Sequence, residues 1–181
     1  MMPSGIKYST GFEYPKDKVN KSSLPTALAV VSIDDSGIAS YEFKLSATAT
    51  FDFGSWLPLG NPSVLHIGTL ATIVEPGATE LFAWITKFGA PIVLDPNVRV
   101  SVLSDVGRYR ELVERWVNIC SVVKVSEEDI SLLYGDRECV SVAREWIGNG
   151  VELVVITQGE NGLVGVTAES LVEVAAVPVD V

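Results

Sequence analysis

From Pro62 onward the chain alternates short apolar runs with segments of helical period, and this pattern restricts it to βαβ units around a parallel sheet. The runs are VLHIG (64–68), PIVLD (91–95), SVVKV (121–125) and LVVIT (153–157), the last being the most apolar. Between the first two, Pro76 can open a helix at its first position. Leu81, Phe82, Trp84, Ile85 and Phe88 then form its apolar stripe until Gly89 closes it. Val106, Tyr109, Val113, Trp116, Val117 and Cys120 recur at steps of three and four, which predicts an amphipathic helix over 105–118. Ser126 starts another helix, with Ile130, Leu133 and Tyr134 inward and Gly135 as its stop, and 138–148 forms a further one around Val142, Ala143, Trp146 and Ile147. GLVGV (162–166) and LVEVAAV (171–177) predict two antiparallel strands at the sheet edge.

Ahead of this array the pattern differs. Residues 1–24 are polar, are broken by Gly5, Gly11 and Pro15, and read as a loose leader. TALAVVSI (26–33), the turn DDSG (34–37) and IASYEFKL (38–45) form a β-hairpin. Its second arm sets Ala39, Tyr41, Phe43 and Leu45 against a mostly polar face, so a half-covered sheet is expected. The organisation is a leader (1–24), a hairpin segment (25–50) and an α/β domain (51–181) of three layers, its mostly parallel sheet flanked by helices.

Composition narrows the function classes. The chain of 181 residues is 48% hydrophobic, enough for one domain with a real core. Its 13 basic and 23 acidic side chains give a net charge of −10 with no run of Lys or Arg, which argues against a nucleic-acid partner. No stretch of 18 apolar residues exists and the first residues carry no apolar signal core, so no membrane partner and a cytoplasmic location are expected. Cys120 and Cys139 form no C-x-x-C pair and read as buried free thiols. His66, the single histidine, reads as a packed or cleft-lining residue in preference to a catalytic base.

Ligands of open parallel sheets sit beyond the carboxyl ends of the strands, so the chemistry belongs there. Those positions hold Gly68 and Thr69, then Asp95, Asn97 and Arg99, then Lys124, Ser126 and Asp129, then Thr157, Gly159 and Gly162. No Walker loop, dinucleotide fingerprint or nucleophile elbow is present. T-Q-G-E-N-G (157–162) suits either a turn on Asn161-Gly162 or glycine amides offered to phosphate. S-E-E-D (126–129) suits either a helix cap or carboxylates organising the water shell of magnesium. In D-P-N-V-R (95–99), Arg99 has the planar fork for a carboxylate or phosphate, or else pairs with Asp95 to stabilise the turn.

Five segments stand in order: LPTALAVVSIDDSGIASYEFKLSATA, LHIGTLATIVEPGA, IVLDPNVR, VVKVSEEDISLLYG and LVVITQGENGLVGV. Together they resemble the PfkB/ribokinase family of ATP-dependent sugar kinases, most closely its fructokinase-like branch, from about Leu24 to Val181. The resemblance implies a partial ribokinase-like domain over 51–181 and a lid hairpin over 25–50, with Tyr41 and Phe43 on the strand that approaches the sugar. It implies that Asp95, Asn97 and Arg99 line the cleft where sugar and transferred phosphate meet. Lys124, Ser126 and Asp129 take the place of the family's N-x-x-E motif, which helps hold magnesium-bound phosphates, making Asp129 the implied metal residue. Thr157, Gly159 and Gly162 match its nucleotide-side T-x-G-x-x-G. ATP and Mg2+ are the implied cofactors, and the implied substrate is fructose ahead of ribose, 2-keto-3-deoxygluconate or a nucleoside. For the intact protein the resemblance implies a homodimer through the lid hairpin.

Members of that family open on a sugar-binding strand and a Gly-Gly motif, and they carry D-T-x-G-A-G-D soon after the strand that here ends VPVDV; neither segment is among these 181 residues. The latter supplies an anion hole and the aspartate that takes the proton from the sugar hydroxyl. The expectation is a middle piece of a kinase, with no catalytic residue of its own and inactive when isolated. A non-catalytic remnant or interaction module derived from such a kinase is the alternative.

Overall fold

β-Branched runs bounded by turn residues become strands here, and the segments between them that bury one stripe become helices. The computed structural model describes residues 25–34, 39–45 and 62–178. The expected leader, the hairpin's turn residues 35–38 and the stretch 46–61 lie outside the described residues. Strands β1 (Leu28–Ile33) and β2 (Ala39–Lys44) form an antiparallel hairpin with Val31 opposite Tyr41 and Ala29 opposite Phe43. A second sheet takes β3 (Leu65–Gly68), β4 (Ile92–Asp95), β5 (Val122–Ser126), β6 (Leu153–Thr157), β7 (Leu163–Val166) and β8 (Leu171–Val174) in chain order. β3 to β6 run parallel, and β7 and β8 return antiparallel.

Helices α1 (Gly77–Ile85), α2 (Val106–Val117), α3 (Glu127–Tyr134) and α4 (Cys139–Gly148) fill the crossovers. Neighbouring strands are also successive in the chain, and right-handed crossovers then place their helices on a common side. The contacts of α2 with α3, of α3 with α4, and of α4 with β6 and β7 agree with that placement. Leu94, Val123, Val125, Val154, Ile156, Val164 and Val166 accordingly lie buried beneath the helices. Alternate residues of the same strands, Asp95, Lys124 and Thr157 among them, are only part-buried on the opposite face. The polar positions at the strand ends therefore share the face of the sheet opposite the helices.

Local differences from the sequence reading have local causes. Pro76 caps α1 from the position before its first turn, and the helix stops at Ile85, short of Gly89. There the Lys87 and Phe88 amides bond to Trp84 and Ile85, three residues back, so the last turn tightens. The hairpin is less covered than expected. β1 is exposed along its length, Tyr41 is 45% exposed, and only Phe43 of the aromatic pair is part-buried. His66 is exposed on β3 instead of packed, and of the two thiols Cys120 is buried while Cys139 is half-buried. Among the described residues, no helix is long and apolar enough to cross a membrane.

Burial pushes the Cys120 thiol up from 9.0 to about 12, and burial is also the largest cause raising the Tyr109 and Tyr134 phenols. Each group ionises more readily in the unfolded chain, so its contribution is complete below its unfolded pKa and is lost as pH climbs toward the folded one. Urea midpoints are expected to hold up to about pH 9 and then fall toward pH 12, with a flatter early decline in Cys120→Ala. A flat profile across that window would contradict the buried, protonated thiol.

Candidate active site

The rim begins where β3 and β4 end side by side. Gly68 pairs with Asp95, and a Cβ on Gly68 would lie 2.2 Å from the Asp95 carbonyl oxygen, so only hydrogen fits. The next residues leave ordinary backbone space: Thr69 has φ 51° and Asn97 φ 42°. Left-handed conformations cost a non-glycine residue about 1–3 kcal/mol and persist where the surroundings fix them, commonly at functional sites. Here the surroundings are mutual. Asn97 Nδ2 donates to Thr69 Oγ1 at 3.2 Å, and Thr72 Oγ1 donates to the Thr69 carbonyl at 2.6 Å.

Asp95 and Lys124 meet across β4 and β5, with Nζ 3.2 Å from Oδ2. The lysine is 40% exposed, so the pair is screened by solvent and is weak as a structural device. Asp95 Oδ1 is buried and has no hydrogen-bond partner among the described residues. A buried acceptor without a donor is a standing cost, and a hydroxyl or ammonium group brought to it would remove that cost. The alternative of an Asp95–Arg99 pair is not what forms.

Arg99 reaches the hairpin instead. Its guanidinium carbon lies 5.5 Å from the centroid of the Tyr41 ring, which in turn stacks on Phe43 at 6.2 Å. One guanidinium nitrogen, Nη1, donates to the Val98 carbonyl at 2.8 Å. Its backbone N–H donates to the Tyr109 hydroxyl oxygen at 3.0 Å. One side chain thus links β2 to the loop after β4.

Ser126 and Asp129 form a capping box on α3: the Asp129 N–H donates to Ser126 Oγ at 3.0 Å and the Ser126 N–H to Asp129 Oδ2 at 3.3 Å. Asp129 Oδ1 accepts the Val98 N–H at 2.8 Å, and the residue is 5% exposed. The Asp129 carboxylate, the implied metal residue, is thus buried, with each oxygen accepting one backbone N–H and keeping a second lone pair. Among the described residues, no group of three or more His, Cys, Asp or Glu side chains could hold a metal ion.

Thr157 ends β6 opposite Ser126, and its hydroxyl donates to the Val125 carbonyl at 3.5 Å. Gly159–Asn161 make a short 3-10 turn between β6 and β7, closed by Gly162 N–H to Gly159 O at 3.1 Å and Gln158 N–H to Gly162 O at 2.8 Å. The turn on Asn161-Gly162 therefore forms.

A family model described as pfkB family carbohydrate kinase matches residues 16–181. The chain belongs to the pfkB family of carbohydrate kinases. It is 31% identical over 160 residues to a fructokinase from Rhizobium leguminosarum bv. trifolii, covering 83% of this chain and 47% of that protein. The crystal structure of fructokinase from Vibrio cholerae O395 with fructose, ADP and calcium matches with TM-score 0.71 and 26% identity, over 84% of this chain and 52% of that one. Ribokinase from Thermotoga maritima, at 18% identity and TM-score 0.65, shares the fold over 87% of this chain and 50% of its own. The pfkB chain described here spans about half the length of the curated relatives it matches.

Two residues of the rim escape sequence reading. Thr69 is visible only as a strand-end position, and Tyr109 only as a member of an apolar stripe, which conceals that its hydroxyl receives the Arg99 amide.

Proposed function

We propose that this pfkB chain serves ATP-dependent transfer of phosphate to a sugar hydroxyl, with fructose the first substrate to test. The observation that carries the reading is the Arg99 guanidinium lying on the hairpin's Tyr41 at the strand-end rim. In this reading Tyr41, Phe43, Asp95, Asn97 and Arg99 are the sugar side. Lys124, Ser126, Thr157, Gly159 and Gly162 are the nucleotide-phosphate side. The relatives named fructokinase and the V. cholerae enzyme solved with fructose and ADP support both halves. A homodimer through the hairpin belongs to the same proposal, supported by the exposed Leu28, Val31 and Ile33 of β1.

A polypeptide of these 181 residues alone is proposed to bind without turning over. The support is that the family's D-T-x-G-A-G-D segment, with its proton-accepting aspartate, is not among these residues, and that Asp129 is buried with both oxygens accepting backbone amides. In a coupled ADP-release assay with fructose, the expected result is no turnover, while calorimetry detects MgADP and sugar. Turnover of about 1 per second or faster, the ordinary enzyme range, would refute the first half. The second reading is a non-catalytic interaction module, favoured by the exposed apolar residues of β1 and of β8 (Leu171, Val172 and Val174). It predicts that neither ligand binds.

A further inference from the structure

The loop after β4 lies beyond the ladder, which ends where Asp95 pairs with Gly68 of β3. β4 pairs with β5 only at Val93 and Leu94, and the strand ends at Asp95. Yet Val98 is buried and Asn97 is held at φ 42°. Two consecutive amides of this loop are tied to side chains from different helices: the Val98 N–H to Asp129 Oδ1 on α3 at 2.8 Å, and the Arg99 N–H to the Tyr109 hydroxyl on α2 at 3.0 Å. The first bond spans 31 residues and has a carboxylate acceptor, the stronger kind. Asp129 is therefore more than the cap of its own helix, which needs only Oδ2.

We propose that Asp129 is a positioning residue: with Tyr109 it fixes the 96–99 loop, so that Asn97 reaches Thr69 and Arg99 reaches Tyr41. What the loop then binds rests on the kinase reading above; the clamp itself does not.

Amide hydrogen exchange by NMR on the 181-residue chain, free of sugar and nucleotide, tests the clamp. A failure here leaves the kinase reading standing, since no ligand takes part. In the unaltered chain the Val98 and Arg99 amides are expected to exchange slowly despite lying in a loop, and exchange at the rate of free loop amides would overturn the proposal. Asp129→Ala is expected to speed Val98 exchange by about ten- to a hundredfold, the loss of one charge-assisted bond, and to shift the Tyr41 ring resonances. Ser126→Ala removes the other half of the cap. It should speed exchange at the Asp129 amide and leave Val98 and Tyr41 unchanged. If both variants act alike at Val98, the carboxylate is only a cap and the proposal fails. Should Asp129→Ala not fold, Tyr109→Phe reads the clamp from its other side: faster exchange at Arg99 upholds it, and no change overturns it. Magnesium chloride alone, at millimolar concentration, should leave the Val98 and Ser126 amides in place, and displacement of either would give Asp129 its implied metal role instead.

Discussion

Trp116→Ala is expected to lower the free energy of unfolding by about 3–5 kcal/mol, the usual range for deleting a buried tryptophan. Trp116 is 1% exposed and meets Phe82 edge-on at 5.0 Å. It also donates from Nε1 to the Thr72 carbonyl at 2.9 Å, which anchors the turn following Thr69. Truncation therefore opens a cavity beneath α1 and α2 and leaves a buried carbonyl without its donor. Domains of this size hold about 5–15 kcal/mol, so the variant loses a large fraction of the total. Trp84 supplies the control, because its Nε1 is buried with no partner among the described residues. Replacing each tryptophan by Phe should separate the two effects in urea denaturation. Trp116→Phe should cost stability because it orphans the Thr72 carbonyl, whereas Trp84→Phe should be near neutral.

Gly162→Ala is expected to cost about 3 kcal/mol or more, by adding left-handed strain to backbone overlap. Gly162 has φ +95°, and a Cβ there would stand 2.0 Å from the Val174 carbonyl oxygen and 2.7 Å from the Ala176 nitrogen. Both are backbone atoms, so no side-chain rotation relieves them. The relief available is separation of the turn from the chain end of β8, and the amides of β7 and β8 should lose exchange protection together. Gly159 lies in the same turn at φ +57° with nothing within 4 Å of its would-be Cβ. Gly159→Ala should then cost only about 1–2 kcal/mol, the conformational part alone. Equal losses from the two variants would show that strain, and not the approach of β8, decides.

The parallel array was legible because each strand is a short apolar run and each helix carries one buried stripe; both are local patterns. Ser126 with Asp129 announces a helix start in the same way, three residues apart. What local pattern does not carry is the far partner of a group with capacity to spare. Asp129 has a second oxygen, and only the fold brings Val98 to it across 31 positions. The left-handed backbones of Thr69 and Asn97 are hidden for a related reason, since neither is glycine and each is held by the other. Arg99 was legible as a fork at the rim, but its partner was not: the nearby Asp95 takes Lys124, and the guanidinium goes to Tyr41 on the hairpin. The exposure of β1 was also unreadable, because an alternating strand reports which residues share a face and not whether anything lies on it.

A sugar is expected to bind at the rim of Asp95, Asn97 and Arg99, where Arg99 meets Tyr41. Chemical-shift mapping of the labelled 181-residue chain, titrated first with MgADP and then with fructose, tests it most directly. Nucleotide is expected to move the Thr157 and Gly159 amides, and fructose then to move the Asn97 side-chain amide, the Arg99 guanidinium and the Tyr41 ring. Fructose shifts confined to β7 and β8, or no shift at those three side chains at saturating sugar, would contradict it.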